Sequence, residues 1–219
     1  MEKMMNNTVV VRGTVVSAPV YSHEVFGEKF YRMVLGMKRR SGVEDRVPVL
    51  VSERLWDVNG DHLGEYVKVE GQYRSQNRDV AGKHRLLLDV FAKKICTELS
   101  EEYENDENQI SLNGFLCKPP VLKRTPSGKA ICDIVLAVNR EFRHSDYIPC
   151  ILWGPNAVAI AQMQVGDRIR LVGRIQSREY GKKSDGGIET RVAYEVSVTV
   201  FEEVKEKEVM YDAGMARAV

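Results

Sequence analysis

Apolar and polar residues alternate in short runs along most of this 219-residue chain, the period-two pattern of strands half buried against a core. Ile110, Leu112, Gly114 and Leu116 form one such row, and Cys132, Ile134, Leu136 and Val138 another. Two strands are predicted there. Between them Thr125-Pro126-Ser127-Gly128 supplies hairpin chemistry, with Gly128 free to take positive φ. A third strand, Asp146 to Trp153, points Ile148, Cys150 and Leu152 into a core and Tyr147 and Trp153 to the opposite face, because side chains two apart share a side. Pro155 has the φ of a first helical turn, so a short helix to Met163 is predicted. Gly166-Asp167 turns the chain into Arg168 to Ser177, with Ile169, Leu171 and Ile175 inward and Arg168, Arg170 and Arg174 outward. A strand from about Thr190 to Phe201 completes the set.

The same plan is written once before, 101 positions upstream. Gly13, Pro19, Val20, Gly27, Val34, Leu35, Arg39, Asp45 and Pro48 recur as Gly114, Pro120, Val121, Gly128, Val135, Leu136, Arg140, Asp146 and Pro149. The offset then becomes 102, with Gly64, Gly71 and Ser75 matching Gly166, Gly173 and Ser177. So fixed a register marks an internal duplication, the first thing to look for in a chain. The first copy is predicted to run through strands at Thr8 to Ala18, Phe30 to Arg39 and Arg46 to Val51, a helix near Glu53 to Val58, then strands at Tyr66 to Ser75 and Leu86 to Ile95. Gly71 and Gly173 fall in mid-strand, where glycine marks a bend or close backbone approach. Five strands with a helix between the third and fourth is the order of an oligonucleotide-binding (OB) barrel. The expected fold is therefore all-β: two tandem five-stranded OB-fold barrels, the first over residues 1–97 and the second over 109–204, with a linker at 98–108 and a tail at 205–219.

Each half is large enough to bury its own core, and the 29% charged and 43% hydrophobic content is that of a soluble globular protein. No apolar run approaches the length of a membrane span and no export signal is visible, so a cytoplasmic protein is expected. Cys96, Cys117, Cys132 and Cys150 lack Cys-x-x-Cys spacing and read as reduced thiols rather than a zinc site or disulfide framework. His23, His62, His84 and His144 are scattered, without a neighbouring pattern for catalysis or metal binding, and there is no Gly-rich nucleotide loop. No cofactor, no metal and no enzymatic activity are expected. The net charge of +1 averages unlike segments. Glu98 to Glu107 holds six acids and no base; without those six the remainder carries about +7, so the folded halves are basic. That linker reads as a solvated connector, or as a competitor with nucleic acid for the basic faces.

The two copies differ in aromatics. Where the second has Tyr147 and Trp153 on its outer row, the first has Arg46 and Ser52, although Val47, Val49 and Val51 keep the inner row. The runs Thr125-Pro126-Ser127-Gly128-Lys129-Ala130, Leu136-Ala137-Val138-Asn139-Arg140, Asp146-Tyr147-Ile148-Pro149-Cys150 to Trp153-Gly154, Gly166-Asp167, and Val172-Gly173-Arg174-Ile175-Gln176-Ser177-Arg178-Glu179-Tyr180 resemble the bacterial single-stranded DNA-binding protein family over roughly residues 110 to 202. The resemblance implies base stacking at four positions, which fall on Phe142, Tyr147, Trp153 and Tyr180. In the first copy these positions become Ser41, Arg46, Ser52 and Arg78.

Every base has a π face, so aromatic rings hold single strands without choosing sequence, whereas a duplex hides those faces. Tyr147 and Trp153, six residues apart on one face, are separated by about 20 Å along a strand. Around them Lys123, Arg124, Lys129, Arg140, Arg143, Arg174 and Arg178 are candidates to track phosphates, Arg also being able to stack. Lys38, Arg39, Arg40, Arg46 and Arg78 form a weaker basic cluster in the first copy, which is expected either to touch the DNA backbone or to serve assembly. The family's architecture implies a homodimer presenting four barrels, acting in replication, recombination or repair, with replication or recombination proteins as potential partners. The chain departs from the family at its end, Met210 to Val219, which lacks an acidic tail with a hydrophobic tip. Two functions stay open from sequence: a sequence-tolerant single-stranded DNA binder, and a primosome-like adaptor that docks a helicase or recombinase with DNA contact secondary. The choice between DNA and RNA is also open.

Overall fold

The computed structural model describes residues 6–39, 41–80, 83–97, 106–141, 144–184 and 187–205. In the first repeat, β1 (Asn7–Val25), β2 (Glu28–Lys38), β3 (Glu44–Ser52), β4 (Tyr66–Val80) and β5 (Lys83–Cys96) follow the predicted order. β1 pairs antiparallel with β2 and β4, β2 with β3, and β4 with β5. The parallel pairing of β3 with β5 at Val49–Val90 and Leu50–Phe91 closes the ring. The second repeat has β6 (Glu107–Leu116), β7 (Val121–Arg124), β8 (Ala130–Arg140), β9 (His144–Trp153), α1 (Pro155–Ile160), β10 (Arg168–Ser184) and β11 (Gly187–Glu203). Its ring, β6–β8–β9–β11–β10, is likewise closed by a parallel pair, β9 with β11 at Cys150–Val196. Alternation along each strand fills the interior with residues such as Val9, Val47, Val49, Val51 and Val69 in the first ring and Ile110, Leu136, Ile148, Leu152 and Ile169 in the second. Among the described residues no helix is long and apolar enough to cross a membrane.

Gly71 and Gly173 justify their mid-strand places. Each sits at a register shift in its pairing with the next strand. A Cβ on Gly71 would lie 2.1 Å from the Phe91 carbonyl oxygen, and one on Gly173 2.4 Å from that of Ser197. The backbones meet where each barrel bends, and only glycine fits. Gly128 takes φ +80° in its turn, as its type allows.

Four features depart from the sequence reading. The helix expected near Glu53 to Val58 does not form: this segment is a run of turns. The amides of Leu55 and Trp56 both donate to the Ser52 carbonyl, at 3.0 and 3.3 Å, but Asp57 diverts the chain by accepting from Asn59 N–H at 3.1 Å. A local side-chain acceptor there outcompetes propagation of a single turn. In the second repeat Pro155 starts α1 as expected, yet the helix stops at Ile160, short of Met163. The first strand of the second repeat is also split. Pro119 and Pro120 lack the N–H that a ladder needs, so β6 ends at Leu116 and β7, unforeseen, begins at Val121 and pairs with β8. At the equivalent place the first repeat has Pro19 within an uninterrupted β1, accommodated by register shifts around Ser17 and Val20.

The fourth departure joins the repeats. β1 over Asn7–Arg12 pairs antiparallel with β6 over Glu107–Leu112, making one sheet of eleven strands among the described residues. Val9 lies opposite Ile110, its own counterpart 101 positions on, so the seam runs about a local two-fold relation between the copies. This pairing covers two strand edges that separate barrels would leave open.

Candidate nucleic-acid interface

The interface is built on β9. Its inner row, Ile148, Cys150 and Leu152, is buried, while Tyr147 and Trp153 on the outer row keep 47% and 44% of their surface exposed. Burial holds the Cys150 thiol far above its ordinary range, so that row is apolar and chemically inert. Across the ladder Tyr147 faces Ala137 and Trp153 faces Ile131. The small Ala137 side chain leaves little to cover the Tyr147 ring. Pro149, half-buried, and Ile151, buried, lie between the two rings on the same row. Tyr180, 39% exposed on β10, has the Arg178 guanidinium 6.0 Å from its ring centroid. Phe142 and Arg143 lie outside the described residues, as does Arg40.

The cations fall into two groups. Arg124 and Lys129 are exposed on either side of the Thr125–Gly128 turn, Arg124 donating to the Gly128 carbonyl at 3.1 Å. Lys123 is exposed too, but its ammonium meets Asp133 at 2.6 Å, which raises its pKa. Arg178 is exposed with Glu195 at 4.0 Å. Arg140 and Arg174 are half-buried and lie beside carboxylates. Arg140 lies 3.8 Å from Asp146. Arg174 donates to Asp45 of the first repeat at 3.3 Å, and desolvation, then the neighbouring Arg39, lower its pKa. In the first repeat Arg39 donates twice to Asp45 and Arg46 donates to Glu44 at 2.9 Å. Arg78 donates to the Ser22 hydroxyl at 3.1 Å, and the backbone amide of exposed Lys38 donates to Asp106 in the linker.

Sequence reasoning missed how the first repeat reaches the second. Asp146, buried, accepts from the amide of Ser75 at 2.9 Å, and the Ser75 hydroxyl accepts from the amide of Tyr147 at 2.8 Å. The equivalent bonds run the other way: Asp45 accepts from the amide of Ser177 at 3.1 Å, and the Ser177 hydroxyl accepts from the amide of Arg46 at 3.0 Å. The Asp and Ser identities at offsets 101 and 102 were visible, but they signalled duplication alone. Arg74, beside this clasp, lies over the Phe91 ring at 3.6 Å, and its pKa is lowered by desolvation and then by Arg140. Among the described residues no three His, Cys, Asp or Glu side chains are grouped to hold a metal ion.

Residues 107–204 match the Single-strand binding protein family. The chain is similar to single-stranded DNA-binding protein B of Bacillus subtilis, with 36% identity over 100 residues, covering 42% of this chain and 87% of that protein. It is similar to the single-stranded DNA-binding protein of Enterococcus faecalis, with 40% identity over 80 residues, covering 33% of this chain and 43% of that one. It therefore spans nearly all of the first relative and less than half of the second. In fold it is similar to the crystal structure of wild-type single-stranded DNA binding protein from Thermus aquaticus, at a TM-score of 0.70 and 23% identity over 97% of this chain and 96% of that one. That likeness of fold takes in both repeats.

Proposed function

Because the chain belongs to the single-strand binding protein family, we propose that it is a non-catalytic, sequence-tolerant binder of single-stranded DNA in the cytoplasm, serving replication, recombination or repair. Residues 109–204 form the OB-fold barrel that carries the site. Residues 1–97 form an OB-fold scaffold without a stacking row, 98–108 a linker and 205–219 a tail. Tyr147, Trp153 and Tyr180, with Phe142, stack on bases. Lys123, Arg124, Lys129 and Arg178, with Arg143, contact phosphates. Two chains pair to present four barrels, by analogy with the family.

The observation that carries this reading is the outer row of β9, where two large aromatic rings stay half exposed although every residue of the inner row is sealed in the core. Such rings bind unpaired bases at about 1 to 3 kcal/mol each. The cations of the first repeat favour a scaffold role for it, since Arg39 and Arg46 already meet Asp45 and Glu44. The test is a tryptophan-fluorescence titration with poly-dT, poly-U and duplex DNA at two salt concentrations. Quenching by poly-dT but not by duplex supports the proposal, and equal binding of duplex overturns it.

A further inference from the structure

A groove of about 570 Å³ runs between the repeats, and its walls come from both. Leu86 and Leu88 of β5 line it from the first repeat; Tyr180 of β10, Val192 and Tyr194 of β11 and Pro149 of β9 line it from the second. Leu86 and Val192 are exposed apolar side chains. The stretches 86–88 and 190–194 lie beyond the parallel pairings that close the two rings, at Val90–Phe91 and Val196–Ser197. The groove is thus a cleft between two barrels.

Its place relative to the aromatic row identifies the occupant. Pro149 sits on the outer face of β9 between Tyr147 and Trp153, and Tyr180 is itself a lining residue. A strand lying along that row therefore passes the mouth of the cleft. The lining, two tyrosine rings and aliphatic side chains together with Thr190 and Arg191, suits a flat apolar face with a polar edge, which describes an unpaired nucleobase. The clasp of Ser75 on Asp146 and Tyr147, at 2.9 and 2.8 Å, holds β4 against β9, so the wall supplied by the first repeat is fixed relative to the row.

We propose that the first repeat completes the binding site of the second: a base of the bound strand enters the cleft between Leu86 of the first repeat and Tyr180 of the second. This rests on the single-strand reading given above. It assigns a direct role to a repeat that has no stacking row of its own.

The test is a double-mutant cycle on the full-length protein, comparing Leu86→Ala, Tyr180→Ala and the double variant. Affinity for a dye-labelled dT oligonucleotide is read by anisotropy and particle mass by light scattering, with Trp153→Ala as reference. Leu86→Ala is expected to weaken binding about threefold to tenfold, the loss for uncovering one or two methylene-sized pieces of a buried contact, and to have no further effect once Tyr180 is Ala. Leu86→Met is expected to restore affinity. If Leu86→Ala leaves affinity unchanged, or weakens it equally with and without the Tyr180 ring, the composite slot is wrong while the single-strand reading stands on Trp153→Ala. If Leu86→Ala lowers the particle mass, the cleft is an interface between chains and the proposal is overturned. If Trp153→Ala and Tyr180→Ala are both silent, the single-strand reading itself fails.

Discussion

The backbone amide of Tyr147 donates to the hydroxyl of Ser75 at 2.8 Å, across the boundary between the two repeats. A residue on the aromatic row of one barrel is thereby held by a side chain of the other. Ser75→Ala removes the acceptor but leaves the Ser75 amide bound to Asp146. We expect a loss of about 1 kcal/mol in stability and a smaller loss in affinity for poly-dT that disappears in a Tyr147→Ala background. Chemical denaturation and the double-mutant cycle measure the two effects separately. An affinity loss that persists without the Tyr147 ring would show that Ser75 does not act through it.

Trp153→Ala removes one exposed aromatic ring from the outer face while the inner row of β9 stays packed. Binding to poly-dT should weaken by about 1 to 3 kcal/mol, with little change in melting temperature. Most fluorescence quenching should vanish, because Trp56, the other tryptophan, sits in the turns after β3 against the His62 ring, with centroids 3.9 Å apart. Full quenching retained in Trp153→Ala would place the signal elsewhere.

Phosphate contacts release counterions, so the logarithm of affinity should fall linearly with the logarithm of salt concentration, at about 0.7 per neutralised phosphate on a single strand. Lys129→Ala should reduce that slope, being exposed beside the hairpin turn. Arg174→Ala should change the slope less and cost stability instead, since its guanidinium is engaged with Asp45. Binding isotherms at four salt concentrations for each variant decide this; equal slope changes would put Arg174 on the strand.

Asp45 and Asp146 are identical residues at equivalent places, but their partners differ. Asp45 accepts from two side chains, Arg39 and Arg174, as well as from the Ser177 amide. Asp146 accepts from the Ser75 amide and has Arg140 at 3.8 Å. Removing one partner of a buried charge network leaves the others uncompensated. Asp45→Asn should therefore destabilise the protein by about 2 kcal/mol, reduced from the fully buried case because both arginines reach solvent. Asp146→Asn should cost less, and denaturant midpoints for the two variants give the comparison.

Desolvation opposes protonation of His62, but its hydrogen bonds to Glu65, at 2.9 Å, and to the Asp57 carbonyl outweigh it and raise its pKa above 6.5. A raised folded-state value means that this contribution to stability is complete below about pH 6.5 and is lost as pH rises through the folded pKa. In a Trp153→Phe background the remaining Trp56 emission should increase with pH as the stacked imidazolium loses its proton, with a midpoint above 6.5. His62→Asn should flatten that titration, and a midpoint below 6.5 would contradict the hydrogen-bonded geometry.

Period-two alternation and an offset of 101 to 102 were enough to read ten of the eleven strands among the described residues, their order and the mid-strand glycines, because the inside and outside of a strand are local properties. The three short segments where the reading failed follow from competition the pattern does not carry. Asp57 stops a turn after β3, Pro119-Pro120 splits the opening strand of the second repeat, and α1 ends three residues early. The rows of Tyr147, Trp153 and Tyr180 were legible for the same reason as the strands, since alternation alone sends them away from Ile148, Cys150 and Leu152. Arg140 and Arg174 looked like free outer-face cations, and only the fold put Arg140 beside Asp146 and Arg174 against Asp45 of the other repeat.

By itself the chain's sequence determined that there are two strand-built copies, that one of them carries aromatics on an outer face, and that its family resemblance lies in that copy. Tertiary structure alone decided that the copies are not beads on a linker. Pairing of Val9 with Ile110, the crossed Asp–Ser bonds and the cleft between Leu86 and Tyr180 all join residues 71 to 132 positions apart. Nothing local encodes such contacts, because a strand edge and a buried carboxylate specify that a partner is needed and leave its address to the packing of the whole chain.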